Sequence, residues 1–330
     1  MKKRIISLAM TLTLVTSLVM AACFAAGDTY AVKPRKITNR KLAVGLVPVT
    51  MNTAYTMTIN GAKEEIKKLG NKMELIVQAP SSNTSTIAEQ GNILEGLIQK
   101  KVDAIALATE SDTSMLPYLR EAAKANIPVF LFNMSTIDKK DIYYVSSIGY
   151  DQYKAGYEIG KWVAANYKKG KIGVLEGYPG VVNTQRMDGF KKAIAKNNRL
   201  KIVASQVANW TRESGQKVTE GILTAHPEIS ILYGPYDEMV LGGLVVVKER
   251  NLLNQIHVVG FGCTKDGVNA IKNGQMAATI NVNEKGTGFD IIDAVYDFCV
   301  KGKNVKKVIN REPKVYDAKN LKQLDMSIFK

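Results

Sequence analysis

Three cysteines in a chain of 330 residues are too few to staple an exported fold. Cys23, Cys263 and Cys299 therefore exclude a disulfide framework and leave apolar burial to hold the molecule together, with Cys263 and Cys299 reading as buried free thiols. Two histidines, His226 and His257, offer little material for a zinc site or a histidine-based triad. His226 precedes Pro227 and reads as a helix stop, and His257 opens an apolar run as an edge residue. There is no Walker-type phosphate loop and no nucleophile elbow. Gly260-Phe261-Gly262 lacks the third glycine of a dinucleotide-binding turn. Acidic residues are short, 30 against 45 basic ones, for a net charge of +15. The excess is spread along helical segments (Lys63, Lys67, Lys68; Lys191, Lys192, Lys196) without aromatic interleaving. That argues against nucleic acid and for solvated helix faces, with attraction to an anionic membrane surface as a further use of the charge.

Beyond the first 22 residues no apolar run approaches the roughly 20 residues needed to span a bilayer. Lys2, Lys3 and Arg4 precede an apolar stretch from Ile5 to Ala22 and then small residues, the layout of a secretory signal. Residues 1–31 are accordingly set aside from the fold. Met20-Ala21-Ala22-Cys23 resembles a lipoprotein box, which makes Cys23 a candidate for lipidation after a signal of 1–22. Thr29-Tyr30-Ala31 fits an ordinary small-x-small cleavage site instead. The rest suffices for two domains of roughly 150 residues each.

From Lys41 onward a short apolar run, a turn and a helical pattern alternate. Apolar runs lie at Leu42 to Val47, Leu75 to Val77, Ala104 to Ala108 and Val129 to Phe132, with helical patterns at Tyr55 to Leu69, Thr84 to Gln99 and Thr113 to Ala125. After Tyr143 to Ile148 the unit starts again. Its runs are Ile172 to Leu175, Ile202 to Val207, Ile229 to Leu232, Val258 to Phe261 and Ala277 to Val282, again interleaved with helices. A last long helix, Lys285 to Lys301, and a polar tail from Asn304 follow. Continuous apolar runs between amphipathic helices mean parallel sheets covered on both faces. The pattern predicts an α/β chain of two doubly wound lobes.

In such sheets ligands sit beyond the carboxyl ends of the strands. The segments there are Val49 to Tyr55, Thr109 to Asp112, Asn133 to Ser135, Pro179 to Arg186, Asn209 to Trp210, Gly234 to Asp237, Gly262 to Thr264 and Asn281 to Asn283. They are richer in amides and rings than in catalytic types. Glu110 with Asp112, and Asp237 with Glu238, are the only carboxylate pairs, and Asp112 and Asp237 also read as helix caps. Binding is favoured over catalysis, and no metal or cofactor is expected.

At these strand ends the chain resembles the type 1 periplasmic binding proteins of the ribose-binding family. Tyr236-Asp-Glu-Met239 with Leu241-Gly242 resembles the family's Asn-Asp-Glu-Met-Ala-Leu-Gly turn. Val258-Val-Gly-Phe261 with Asp266-Gly267 and Ala277-Ala-Thr-Ile280 resembles its hinge-proximal block. Asn126-Ile-Pro-Val129 and Arg186-Met-Asp-Gly-Phe190 match two more segments. The resemblance implies two lobes, 41–133 plus 283–310 and 134–282 plus 311–330, joined by three crossings near Asn133 to Ser135, Val282 and Asn310. It implies a ligand site built from Asn52, Tyr55, Glu110, Asn133, Arg186, Trp210, Tyr236 and Asp237. In it the rings of Tyr55 and Trp210 give stacking faces, and the Arg186 guanidinium holds a ligand oxygen. Tyr55 and Trp210 also read as core residues, Arg186 as a surface ion pair and Glu110 as a solvated loop acid.

Four positions depart from the sugar binders. Asn133-Met134 replaces Asp-Arg, Tyr236 replaces asparagine, Gly262 replaces aspartate, and Val282 replaces glutamine. Each unmade buried hydrogen bond costs about 1–3 kcal/mol. A solute poorer in hydroxyls than a simple sugar is therefore expected, cationic if the rings form a cage. The resemblance further implies an exported, monomeric binder that serves an ABC transporter permease or, alternatively, a membrane sensor or histidine kinase, and performs no reaction.

Overall fold

Twelve short strands and nine helices alternate among the described residues of the computed structural model, which are 32–81, 86–111, 113–134 and 143–329. Cys23 with the rest of residues 1–31, Asp112 and Ser135 fall outside them. The first sheet contains β1 (Leu42–Val47), β2 (Met73–Val77), β3 (Ala104–Leu107), β4 (Val129–Phe132), β5 (Ser146–Gly149) and β11 (Val308–Asn310), in the order β11-β5-β4-β3-β1-β2. The second contains β6 (Gly170–Glu176), β7 (Leu200–Val207), β8 (Ile231–Tyr233), β9 (His257–Val259), β10 (Ala278–Asn281) and β12 (Lys314–Asp317), in the order β12-β10-β9-β8-β6-β7. The two orders are the same pattern repeated. All pairings are parallel except β10 with β12.

Strands such as β3 and β4 are buried at every position, because helices cover both faces. The helices are α1 (Thr53–Lys68), α2 (Thr86–Gln99), α3 (Leu116–Lys124), α4 (Gln152–Asn166), α5 (Val181–Ile194), α6 (Arg212–Ala225), α7 (Asp237–Glu249), α8 (Lys265–Lys272) and α9 (Glu284–Cys299). The core holds Cys263 and Cys299 as buried free thiols.

Sheet membership moves the first chain crossing. The family resemblance places it near residues 133–135, yet Ser146 of β5 pairs with Phe130 of β4, so the strand after the loop still belongs to the first sheet. The chain crosses at Gly149 to Asp151 instead, where Gly149 stands at φ 141°, a conformation that favours glycine. Periodicity finds a strand but not the sheet it joins. The second crossing follows β10 at Asn283, which is left-handed at φ 58°, and the third lies between β11 and β12. The Arg311 N–H donates to the Gly149 carbonyl at 2.7 Å, tying the third crossing to the first. The two strands in the tail were not expected, because β11 and β12 are three and four residues long and mostly exposed or half-buried.

Three helix pairs meet backbone to backbone through glycines. A Cβ on Gly61 would lie 2.0 Å from the Lys285 carbonyl oxygen, and one on Gly288 would lie 2.0 Å from that of Thr58, which locks α1 onto α9. Gly156 and Gly189 do the same for α4 and α5, and Gly215 and Gly242 for α6 and α7. These contacts fix the starts of α1, α5, α7 and α9, all of which open at the cleft between the lobes. Gly288→Ala is expected to cost about 1–3 kcal/mol by overpacking, a fall in melting temperature of roughly 3–10 °C. Gly96→Ala in α2, where nothing lies within 4 Å, is expected to hold or raise the melting temperature by thermal denaturation.

Candidate functional site

The carboxyl ends of both sheets face one pocket of about 470 Å³ at the seam between the lobes. Asn52 starts the first wall. Its extended backbone (φ −144°) lets Oδ1 accept from Tyr55 N at 3.0 Å and cap α1, so the helix and its Tyr55 ring begin at the pocket. Tyr55 packs edge-on against Phe132, centroids 6.0 Å apart, and burial, with Glu110 and Glu284 nearby, keeps its phenol protonated.

Asn133 follows β4 in a left-handed conformation (φ 51°) and is buried. Its Nδ2 donates to Glu284 Oε2, and its backbone carbonyl accepts from Gln152 Nε2 at 3.0 Å. Glu284 is the first residue of α9, also buried. It accepts from Thr58 Oγ1 at 3.1 Å and from the Tyr150 hydroxyl at 3.4 Å. Burial raises its carboxyl, with Asn133, Arg186, Thr58 and Tyr150 opposing.

Arg186, in α5, is buried rather than part of a surface ion pair. Its Nε donates to Gln152 Oε1 at 2.8 Å and its Nη1 to the Pro235 carbonyl at 2.7 Å. Its Nη2 donates to the Tyr150 hydroxyl at 2.6 Å. The guanidinium lies 4.2 Å from the Phe261 ring centroid and 5.5 Å from that of Trp210. The three partners hold the fork so tightly that it acts as a fixed positive wall as much as a ligand clamp.

Trp210 is carried by two successive left-handed residues, Asn209 at φ 51° and Trp210 at φ 60°. For a bulky side chain that backbone costs energy and marks a position held by its surroundings. The ring lies on Gly177, where a Cβ would stand 2.0 Å from it. Tyr178 and Tyr236 flank it at 6.2 and 6.3 Å, inclined by 82° and 69°. Tyr236 also closes the seam, its hydroxyl accepting from Ala54 N of the first lobe at 3.3 Å. On the opposite rim Val181 N lies 3.5 Å from the Glu110 carbonyl oxygen. Burial pushes the Glu110 carboxyl up to about 7 against the pull of Arg186, and its Oε2 is buried without a hydrogen-bond partner among the described residues.

Seven of the eight expected residues thus line one pocket, and Asp237 does not. It is fully buried within the second lobe, where Oδ2 accepts from Thr264 N and Oδ1 from Thr279 Oγ1, each at 2.7 Å. Next to Tyr236 at a helix start, it points the other way and ties α7 to α8 and β10. Tyr236, not Asp237, is the N-cap of α7. The sequence reading did not single out Val49, Thr50, Ala54 and Val182, which lie inside strand-end segments, or Tyr178 and Glu284, each one residue outside one. An acid directly after the Asn283 turn was the available signal for Glu284.

Two predictions follow from this packing. Asp237→Ala is expected to lower the melting temperature by several degrees through two lost buried hydrogen bonds, about 1–3 kcal/mol each. Gly177→Val, measured with Trp162 replaced by Phe so that only Trp210 emits, is expected to red-shift the fluorescence by pushing the indole toward solvent; an unchanged spectrum contradicts the packing.

Comparison with known proteins gives the same answer from a different direction. Residues 44–304 match the family model described as a periplasmic binding protein domain. The chain is 31% identical over 313 residues to the ribose import binding protein RbsB of Bacillus subtilis, covering 93% of this chain and 97% of that one. It is 30% identical over 277 residues to the D-ribose/D-allose-binding protein of Pseudomonas aeruginosa, covering 81% and 84%. Among solved structures, an ABC transporter periplasmic solute binding protein from Actinobacillus succinogenes with bound D-allose superposes with a TM-score of 0.78 at 29% identity. That match covers 86% of this chain and all of the other. These relatives are binding proteins of importers, not enzymes, and the chain belongs to their family, the ribose-binding type of periplasmic binding protein.

Proposed function

We propose that the protein captures one small cyclic solute in the interlobe pocket, sugar-like but poorer in hydroxyls than a simple sugar, and delivers it to an ABC importer. The single observation behind this reading is that Asn52, Tyr55, Glu110 and Asn133 of one lobe and Arg186, Trp210 and Tyr236 of the other line the same space. A ligand touching both walls binds the closed arrangement better than an open one and so shifts the population to it. The Ala54–Tyr236 hydrogen bond and the Val181–Glu110 approach exist only when the lobes meet. The closed outer surface then reports occupancy to the membrane partner.

The wall composition supports a ligand with few hydroxyls. Tyr236 stands where the sugar binders have an asparagine, and its ring covers Gly262, from which a Cβ would be 3.5 Å away. Val282 is wholly buried in the second lobe's core. An aromatic ring and an aliphatic side chain thus stand where the resemblance implies hydrogen-bonding partners. Export through the N-terminal segment, followed either by anchoring at Cys23 or by free release after Ala31, and action as a monomer belong to the same proposal.

The test is a thermal-shift screen of pentoses, hexoses, deoxy-sugars, cyclitols, nucleosides and small cyclic amines. At a hundred times its dissociation constant a true ligand adds about 2.7 kcal/mol, several degrees. Stabilisation by ribose or glucose alone overturns the hydroxyl-poor ligand. With the ligand so found, Tyr236→Phe is expected to weaken binding roughly 5–12-fold by calorimetry, through one lost closing hydrogen bond. Unchanged affinity contradicts closure through this contact.

A further inference from the structure

The pocket's polar atoms divide into those the protein already satisfies and those it leaves open. Each guanidinium nitrogen of Arg186 already donates to a neutral oxygen, of Gln152, Pro235 and Tyr150, and one N–H on each Nη lies beyond these three bonds. Asn52 Oδ1 caps α1, and the Tyr236 hydroxyl takes the Ala54 N–H. Asn133 must direct Nδ2 at the Glu284 carboxylate, which leaves its Oδ1 an acceptor with nothing to accept. Three buried atoms of the wall have no partner among the described residues: Glu110 Oε2, Asn133 Oδ1 and Trp210 Nε1. Two of these three unpartnered atoms are acceptors, which calls for at least one donor on the occupant.

Charge sharpens the point. The wall holds two carboxyls, Glu110 and Glu284, against one cation, Arg186. Glu284 is surrounded by the donors Asn133, Thr58 and Tyr150. Among the described residues no side chain donates to Glu110 Oε2. Its Oε2 faces the turn at Gly180, where a Cβ would lie 2.6 Å from it, and its charge reaches the hydroxyl of Tyr178, which lines the same pocket. Burial favours the neutral form of this carboxyl, and a cation entering the pocket beside it draws it to the charged one. Arg186 already stands over Trp210, so a second cation is repelled from that ring and directed to the Glu110 and Tyr178 side. There a carboxylate and an aromatic face together make an ammonium site.

We infer that the solute is a cyclic compound carrying a protonated amine, with the amine seated against Glu110 beside Tyr178 and the ring lying toward Trp210. This rests on the proposed binding role and names the chemical class of its ligand. Asn133 Oδ1 takes a second donor of the solute, and Trp210 Nε1 donates to an acceptor on it.

The experiment compares amino-sugars and cyclic amines with neutral isosteres of the same shape, such as D-glucosamine, D-glucose and N-acetyl-D-glucosamine, by thermal shift and calorimetry on the intact chain. A member of the amine set is expected to bind at least tenfold tighter than its hydroxyl and acetylated counterparts. Glu110→Gln is expected to lose at least tenfold for that amine while melting at or above the wild-type temperature without ligand, since its carboxyl has no bond to forfeit. If a neutral solute binds as tightly as the amine, or Glu110→Gln retains amine affinity, the amine is overturned and the binding role stands. If neither amines nor neutral solutes bind, both are overturned.

Discussion

One buried guanidinium organises the centre of this protein. Arg186 reaches Pro235 ahead of α7, Gln152 at the start of α4 and Tyr150 at the first crossing, while its flat face rests on Phe261 beyond β9. The Tyr150 hydroxyl passes the connection to Glu284, and Glu284 passes it to Asn133 and Thr58 of the first lobe. A continuous run of charged and polar groups therefore crosses the seam in a low-dielectric setting, where each satisfied bond is strong and each broken one is expensive. The aromatic wall is arranged around this run, and the pocket is the space it leaves.

That network is possible because the helices bearing it are set with little freedom. Reciprocal glycine contacts bring α4 against α5 and α1 against α9 at backbone distance. The residues at the cleft end of each pair, Gln152 with Arg186 and Thr58 with Glu284, then fall within hydrogen-bond reach. Small residues buried far from the ligand space thus determine where the polar groups stand. Lys285 adds a second tie outside the pocket, its buried Nζ pairing with Glu64 of α1 at 2.7 Å and donating to the Ser327 carbonyl of the C-terminal segment at 3.0 Å. The second-lobe core also accepts Met57 of α1. Beside this apolar contact the seam carries specific hydrogen bonds, such as that from Ala54 N to the Tyr236 hydroxyl.

Much of this was legible in the sequence. The repeated run-turn-helix unit exposes two parallel sheets because buried parallel strands are apolar throughout, and the strand ends then name the pocket. Asn52, Tyr55, Glu110, Asn133, Arg186, Trp210 and Tyr236 all sit at such ends. The failures have physical causes. Asp237 neighbours a wall residue, but consecutive residues at a helix start point in different directions, and its carboxyl serves Thr264 and Thr279. Glu284 owes its place to partners more than a hundred positions away, which no local pattern reports. The strand at 146–149 looks like the start of a new unit until its pairing with β4 is known, and β11 and β12 are too short and polar to show a period.

The central claim is that a solute occupies the space bounded by Tyr55, Glu110, Arg186 and Trp210. A crystal grown with the compound that most raises the melting temperature tests it directly through difference electron density. The account predicts one molecule between these four side chains, within hydrogen-bond distance of Asn133 Oδ1. Density for that compound elsewhere on the molecule, with this pocket filled only by water, contradicts it.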